Sequence, residues 1–188
     1  MPSRALRADA ERNRCLLLSA AQDVFAERGI DAPLDEIAKR AGVGNATLYR
    51  RFPTRCELVA AVFTNVVRDV NAALERALAS PDPWLAFVDH VTYLCELQAG
   101  NRALADLLAN GTHCDTELNS LRAHARDGTI NLIERAQTSG ELRPDFRYDD
   151  LTLILMSNAG LLQRTGDSNP TAWRRHLGYV LDGLRTPA

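Results

Sequence analysis

Glycine and proline divide this chain into stretches that each repeat apolar residues at helical spacing, and no stretch alternates apolar and polar residues as a strand would. An all-α fold follows. The first stretch runs over about residues 9–28, with Leu17, Leu18, Ala21, Val24 and Phe25 on one face and Gly29 at its exit. Two short helices, 34–41 and 45–51, flank Gly42-Val43-Gly44. Thr54-Arg55-Cys56-Glu57 then opens a long helix as a capping box, in which Thr54 and Glu57 can satisfy each other's amides. Its stripe from Leu58 to Ala77 lasts until Ser80-Pro81-Asp82-Pro83, and a helix of about 37 Å can bridge two domains. Further helices are expected from Trp84 to Gly100 and over 101–110, 115–139, 149–165 and 171–185, with no internal repeat.

Charge separates the chain into unequal parts. Residues 1–55 hold ten Lys or Arg against seven acids, whereas the remainder holds twelve against seventeen. A basic first segment on an acidic body suits contact with a polyanion through that segment alone. The longest uncharged run, residues 151–163, is 13 residues, short of the roughly 20 that a membrane-spanning helix needs. At the start, Arg residues ahead of Cys15-Leu16-Leu17-Leu18 mimic a signal peptide, but Asp9 and Glu11 interrupt the basic end and the helical pattern continues through Val24 and Phe25. A cytoplasmic chain with reduced thiols is therefore expected. Cys15, Cys56, Cys95 and Cys114 form no C-x-x-C pair, so free, mostly buried cysteines are expected, with no disulfide framework and no redox control.

The two short helices and their glycine turn have the dimensions of a helix-turn-helix. On a wheel starting at Gly44, Leu48 falls at about 40° and Phe52 at about 80°, while Asn45, Ala46, Tyr49 and Arg50 lie between about 100° and 240°. One side packs inward; the other offers an amide, a methyl, a phenol and a guanidinium. Asn can pair with an adenine edge, Arg with guanine N7 and O6, and Ala with a thymine methyl. Thr47, Tyr49, Arg51, Thr54 and Arg55 are placed to hold phosphates. Such a motif is also simply a way of packing three helices, so geometry alone leaves the DNA reading open.

The residue string narrows it. Ala21, Phe25-Ala26-Glu27-Arg28-Gly29, Ile37-Ala38-Lys39-Arg40-Ala41-Gly42-Val43-Gly44, Thr47-Leu48-Tyr49 and Phe52-Pro53-Thr54-Arg55 closely resemble the DNA-binding domain of TetR-family bacterial regulators, across about the first 65 residues. Pro83-Trp84, Glu96-Leu97-Gln98-Ala99 and Arg102-Ala103-Leu104-Ala105-Asp106-Leu107-Leu108 more loosely resemble the C-terminal domains of its SbtR-like subgroup. The resemblance implies a DNA-binding domain at 1–55, a helical effector-binding and dimerisation domain at 56–188, and a homodimeric repressor that a small molecule releases from a double-stranded operator. Pro33 stands where many members cap the second helix with Ser or Thr. Gly44 replaces a common Ser, and Ala46, Arg51 and Arg55 also depart from the frequent residues, which leaves the exact base preference open while the resemblance still implies the same binding mode.

For the second half, Phe63, Phe87, Val91, Leu94, Leu121, Leu155 and Leu162 are candidate walls of an effector cavity, although any one of them taken singly is better explained as core. Asn158 interrupts an apolar run, either to orient a ligand or to bond across helices. Surplus apolar surface points to dimerisation through the last two helices, using Leu153, Met156, Ser157, Gly160, Leu161, Trp173, Leu177, Val180, Leu181 and Leu184. A metal sensor built from His90, Cys95, His113, Cys114 and His124 remains an alternative, although none shows ligand spacing and no metal or cofactor is expected. No nucleophile with its base and no facing carboxylate pair argues for an enzyme. A constitutive DNA-binding protein without effector stays open.

Overall fold

The computed structural model describes residues 4–101, 103, 104, 107 and 116–186. Among them are eight α-helices: α1 (Arg4–Arg28), α2 (Leu34–Arg40), α3 (Asn45–Arg51), α4 (Arg55–Leu78), α5 (Pro83–Gly100), α6 (Thr116–Thr138), α7 (Tyr148–Thr165) and α8 (Ala172–Leu184). A 3-10 turn, Gly166–Ser168, joins the last two. Of the helix expected over 101–110, Ala103, Leu104 and Leu107 are helical and buried, and the rest lies outside the described residues.

Local chemistry sets the ends. Asp82 Oδ1 accepts the Leu85 amide at 2.8 Å with Pro83 opening α5, and Asp150 accepts the Arg147 amide at 2.8 Å ahead of α7. Thr54 Oγ1 accepts the Glu57 amide at 3.2 Å, as the capping box requires, but its hydroxyl donates to Glu57 Oε1 at 3.2 Å. Only half of the reciprocal box forms. At the other end of α4, Arg135 of α6 donates to the Leu78 carbonyl and to the Ser80 carbonyl, the latter at 2.7 Å, satisfying acceptors that a helix terminus leaves open. Gly42 turns between α2 and α3 at φ +68°, where a Cβ would be strained. Gly128 brings α6 against α4 so closely that a Cβ there would lie 2.6 Å from Leu74 Cδ2.

Two apolar cores share α4. The first joins Leu17, Ala21, Val24 and Phe25 of α1, Ile37, Leu48 and Phe52, and the α4 residues from Leu58 to Val67, with Leu107 and Leu118 closing it. The second takes Val70 and Leu74 of the same helix and packs them with α5, α6, α7 and α8 around Phe87. Phe87 lies edge-on to Phe146, ring centroids 5.6 Å apart at 81°. Between α6 and α7 the chain pairs with the segment after α8, Arg143 N donating to Leu184 O at 3.0 Å and Thr186 N to Glu141 O at 2.8 Å.

Two expectations need correction. Trp173, Leu177 and Leu181 were expected at a dimer interface, but they are buried in the second core of their own subunit. The apolar stripe of α8 is directed inward, so helical spacing identified the stripe and not its partner. The cysteines also differ. Cys15 is free but exposed, Cys95 is free and buried, and Cys56 is in a disulfide. C-x-x-C is only one of the spacings at which cysteines pair, so its absence does not exclude a disulfide.

The second core contains a buried imidazole, that of His90. His90 Nε2 lies 3.0 Å from Thr129 Oγ1, whose proton goes to the Ala125 carbonyl at 2.7 Å, so Nε2 is the protonated donor. Nδ1 has no hydrogen-bond partner among the described residues, and burial pushes the pKa down to about 4. The unfolded chain takes up a proton near the ordinary 6.5, so this depressed pKa leaves stability intact above that value and removes it progressively as pH falls toward 4. Between pH 7 and 5 the loss is about 2 kcal/mol. Urea titrations of wild type and His90→Gln at both pH values check this; equal pH dependence in the two proteins would show that His90 is not its source.

Candidate nucleic-acid interface and cavity

The residues expected to read bases share one exposed face. Asn45, Ala46, Tyr49 and Arg50 are exposed on α3, while Leu48 is buried beneath them. Ile37 and Phe52 complete an apolar lock that fixes α3 on α2. On the back of the motif, Arg40 donates to both Glu27 oxygens at 2.6 and 2.8 Å, and Arg28 pairs with Glu36 at 2.9 Å, tying α2 to α1. The Arg40 guanidinium holds the Glu27 carboxyl below its ordinary range. Neither Pro33 nor Gly44 supplies a side-chain cap.

The expected phosphate-holding residues divide. Thr47 and Arg51, together with Arg50 from the base-reading set, border a shallow cleft of about 150 Å³ with Asn13 and Arg14 of α1. The patch thus gains Arg14, which sequence reasoning left out because it sits on a different helix. Arg51 approaches Glu11 at 3.8 Å, and Thr54 is occupied with Glu57. Arg55 has another place: its Nη1 donates to the carbonyls of Ile30 and Ala32 at 2.9 and 2.7 Å, bracing α4 against the α1–α2 connection.

The expected cavity walls are packed elsewhere. Phe63 lies in the first core, and Phe87, Val91, Leu94 and Leu155 lie in the second. Leu121 and Leu162 are partly buried against them. Asn158 is hydrogen-bonded across helices, its Nδ2 donating to Gln98 Oε1 at 2.8 Å and to the Cys95 carbonyl at 3.3 Å. A cavity of about 450 Å³ opens instead between α4 and α6, lined by Val67, Val70, Leu107, Asn119, Arg122, Ala123, Ala125, Arg126 and Tyr148. Arg126 stacks over the Tyr148 ring at 5.3 Å, and Arg122 donates to the Leu107 carbonyl at 3.3 Å. The spacing of Asn119, Arg122 and Arg126 along one helix face was visible in the sequence, but it reads like any solvated stripe until α4 is placed opposite it.

Among the described residues no three His, Cys, Asp or Glu side chains converge on a metal position. His124 sits 4.0 Å from Glu75 on the surface, whereas His113 and Cys114 lie outside the described residues. No helix among the described residues is long and apolar enough to cross a membrane.

This helix-turn-helix, carried on a long helix that continues into a helical second domain, defines a class of DNA-binding regulators. Residues 17–62 match the model for bacterial regulatory proteins of the tetR family, and residues 82–186 match the C-terminal domain of SbtR-like transcriptional regulators. The chain belongs to the TetR family and is a DNA-binding transcriptional regulator. It is 32% identical over 136 residues to the transcriptional repressor LfrR of Mycolicibacterium smegmatis, covering 72% of this chain and 69% of LfrR. With the transcriptional activator FasR of the same species it shares 36% identity over 99 residues, 46% of this chain and 45% of FasR, so it spans less than half of that relative. The TetR regulator SCO0520 from Streptomyces coelicolor is 33% identical, with TM-score 0.58 over 93% of this chain and 99% of that one.

Proposed function

We propose that this regulator is a repressor that binds a palindromic operator as a homodimer in the cytoplasm and is released by a small-molecule effector. The observation that carries the reading is the outward face of α3, where an amide and a guanidinium stand exposed beside a methyl and a phenol on a helix locked from behind. Leu153, Met156 and Tyr179 support the dimer, being 62%, 47% and 68% exposed on α7 and α8. Ser157 and Gly160 lie exposed on the same helix as Met156, and half-buried Leu161, Val180 and Leu184 form the remainder of the proposed contact. A two-fold pair sets two copies of α3 about 34 Å apart, one turn of duplex. The cavity beside α4 supports an effector, because α4 begins where the DNA-binding motif ends.

Selection of bound duplexes from a random pool tests the reading directly and should return a palindrome. On that operator, Asn45→Ala and Arg50→Ala should each cost about 1 to 3 kcal/mol per half-site and relax specificity at one base pair. Equal losses on operator and random DNA would remove the base-reading assignment. Repression is read from a reporter: loss of the regulator should raise expression, and a fall would make it an activator.

A further inference from the structure

The second domain is acidic overall, yet none of the described residues lining the α4–α6 cavity is acidic. Arg122 and Arg126 stand one turn apart on α6, the first half-buried and the second at the mouth. Arg126 makes no ion pair with a described residue; its charge rests on the Tyr148 ring. The phenol hydroxyl of Tyr148, half-buried between the fields of both guanidiniums, has no hydrogen-bond partner among the described residues. Opposite, Val67 and Val70 of α4 give the cavity an apolar wall. Burial raises the Tyr148 pKa, so its phenol remains a donor beside the Arg126 guanidinium.

We infer that this cavity binds a small organic carboxylate, its anion held by Arg126 and the Tyr148 hydroxyl and its apolar body lying on Val67 and Val70. The inference rests on the effector-release reading and gives that effector a chemical class. Guanidinium and carboxylate match in two parallel hydrogen bonds, strengthened where water is scarce. A volume of about 450 Å³ is in the range of small-molecule sites and leaves room for an aromatic ring or a medium-length alkyl chain. Occupancy would push directly on α4 and so reach the operator-binding end.

The test titrates the full chain by calorimetry with hexanoate, octanoate, benzoate and phenylacetate, and with the primary amide of each. At least one carboxylate should bind, with its neutral amide about tenfold or more weaker. Arg126→Gln should weaken that carboxylate by a similar factor, and Arg126→Lys by less. Amides that bind as tightly as their acids, an Arg126→Gln variant with unchanged affinity, or no binding by any carboxylate would each overturn the inference. Operator release is followed in parallel with the acids, the amides, octylamine and phenethylamine. Release by amides or amines but by no acid refutes the carboxylate while the effector reading stands; release by none of them refutes both.

Discussion

Gly160→Arg is expected to sediment as a monomer with near-native helicity and to lose most of its operator affinity. Gly160 is exposed on α7, and a Cβ added there would meet nothing within 4 Å, so the substitution should leave the fold intact. Two copies related by a two-fold axis would bring both guanidiniums into one apolar contact among Leu153, Met156 and Tyr179. Burying like charges in such a contact costs several kcal/mol. A monomer would then have only one α3 to offer, and the second half-site contributes nothing. Sedimentation at micromolar concentration and operator titration check both parts. A wild-type protein that sediments as a monomer yet binds its palindrome tightly and without cooperativity would overturn the dimer.

Phe87→Ala should destabilise the protein by about 3 to 5 kcal/mol, the usual cost of emptying an aromatic site in a packed core. The ring is fully buried, with Trp84 and Phe146 centroids 5.8 and 5.6 Å away, so little can collapse into the space without breaking both contacts. Urea unfolding without added ligand measures the loss. The outcome also separates the two readings that the sequence left open for this residue. A loss under about 1 kcal/mol would mean that the site tolerates a vacancy and that Phe87 borders a cavity after all.

Helix positions and the face of α3 were legible because both depend on local information. Apolar spacing and glycine or proline stops placed 45–51 with its observed ends and put Leu48 inside and Asn45, Tyr49 and Arg50 outside. What failed depends on the choice of neighbour. Trp173 and Leu177 lie on a clear apolar stripe, but nothing along the chain says whether that stripe faces its own subunit or a second one. Arg55 is basic at the start of a helix, which suits a phosphate; only the folded path of 30–32 shows two carbonyls within its reach. The cavity escaped for a related reason. Apolar residues were sought as its walls, whereas tight packing consumed most of those and left space beside long polar side chains such as Arg122 and Arg126.

Because α4 contributes side chains to both apolar cores, neither half can unfold without exposing part of the stripe that stabilises the other. The protein should therefore melt in one transition, and any ligand of the second domain adds its binding energy to that single event. At a hundred times its dissociation constant such a ligand contributes about 2.7 kcal/mol, felt equally by amides of α2 and α3 that it never touches. Hydrogen exchange in the operator-reading helices thus becomes a remote gauge of cavity occupancy. A destabilising substitution in the DNA-binding motif would, for the same reason, be masked in cells that hold abundant effector and revealed when the effector is withdrawn.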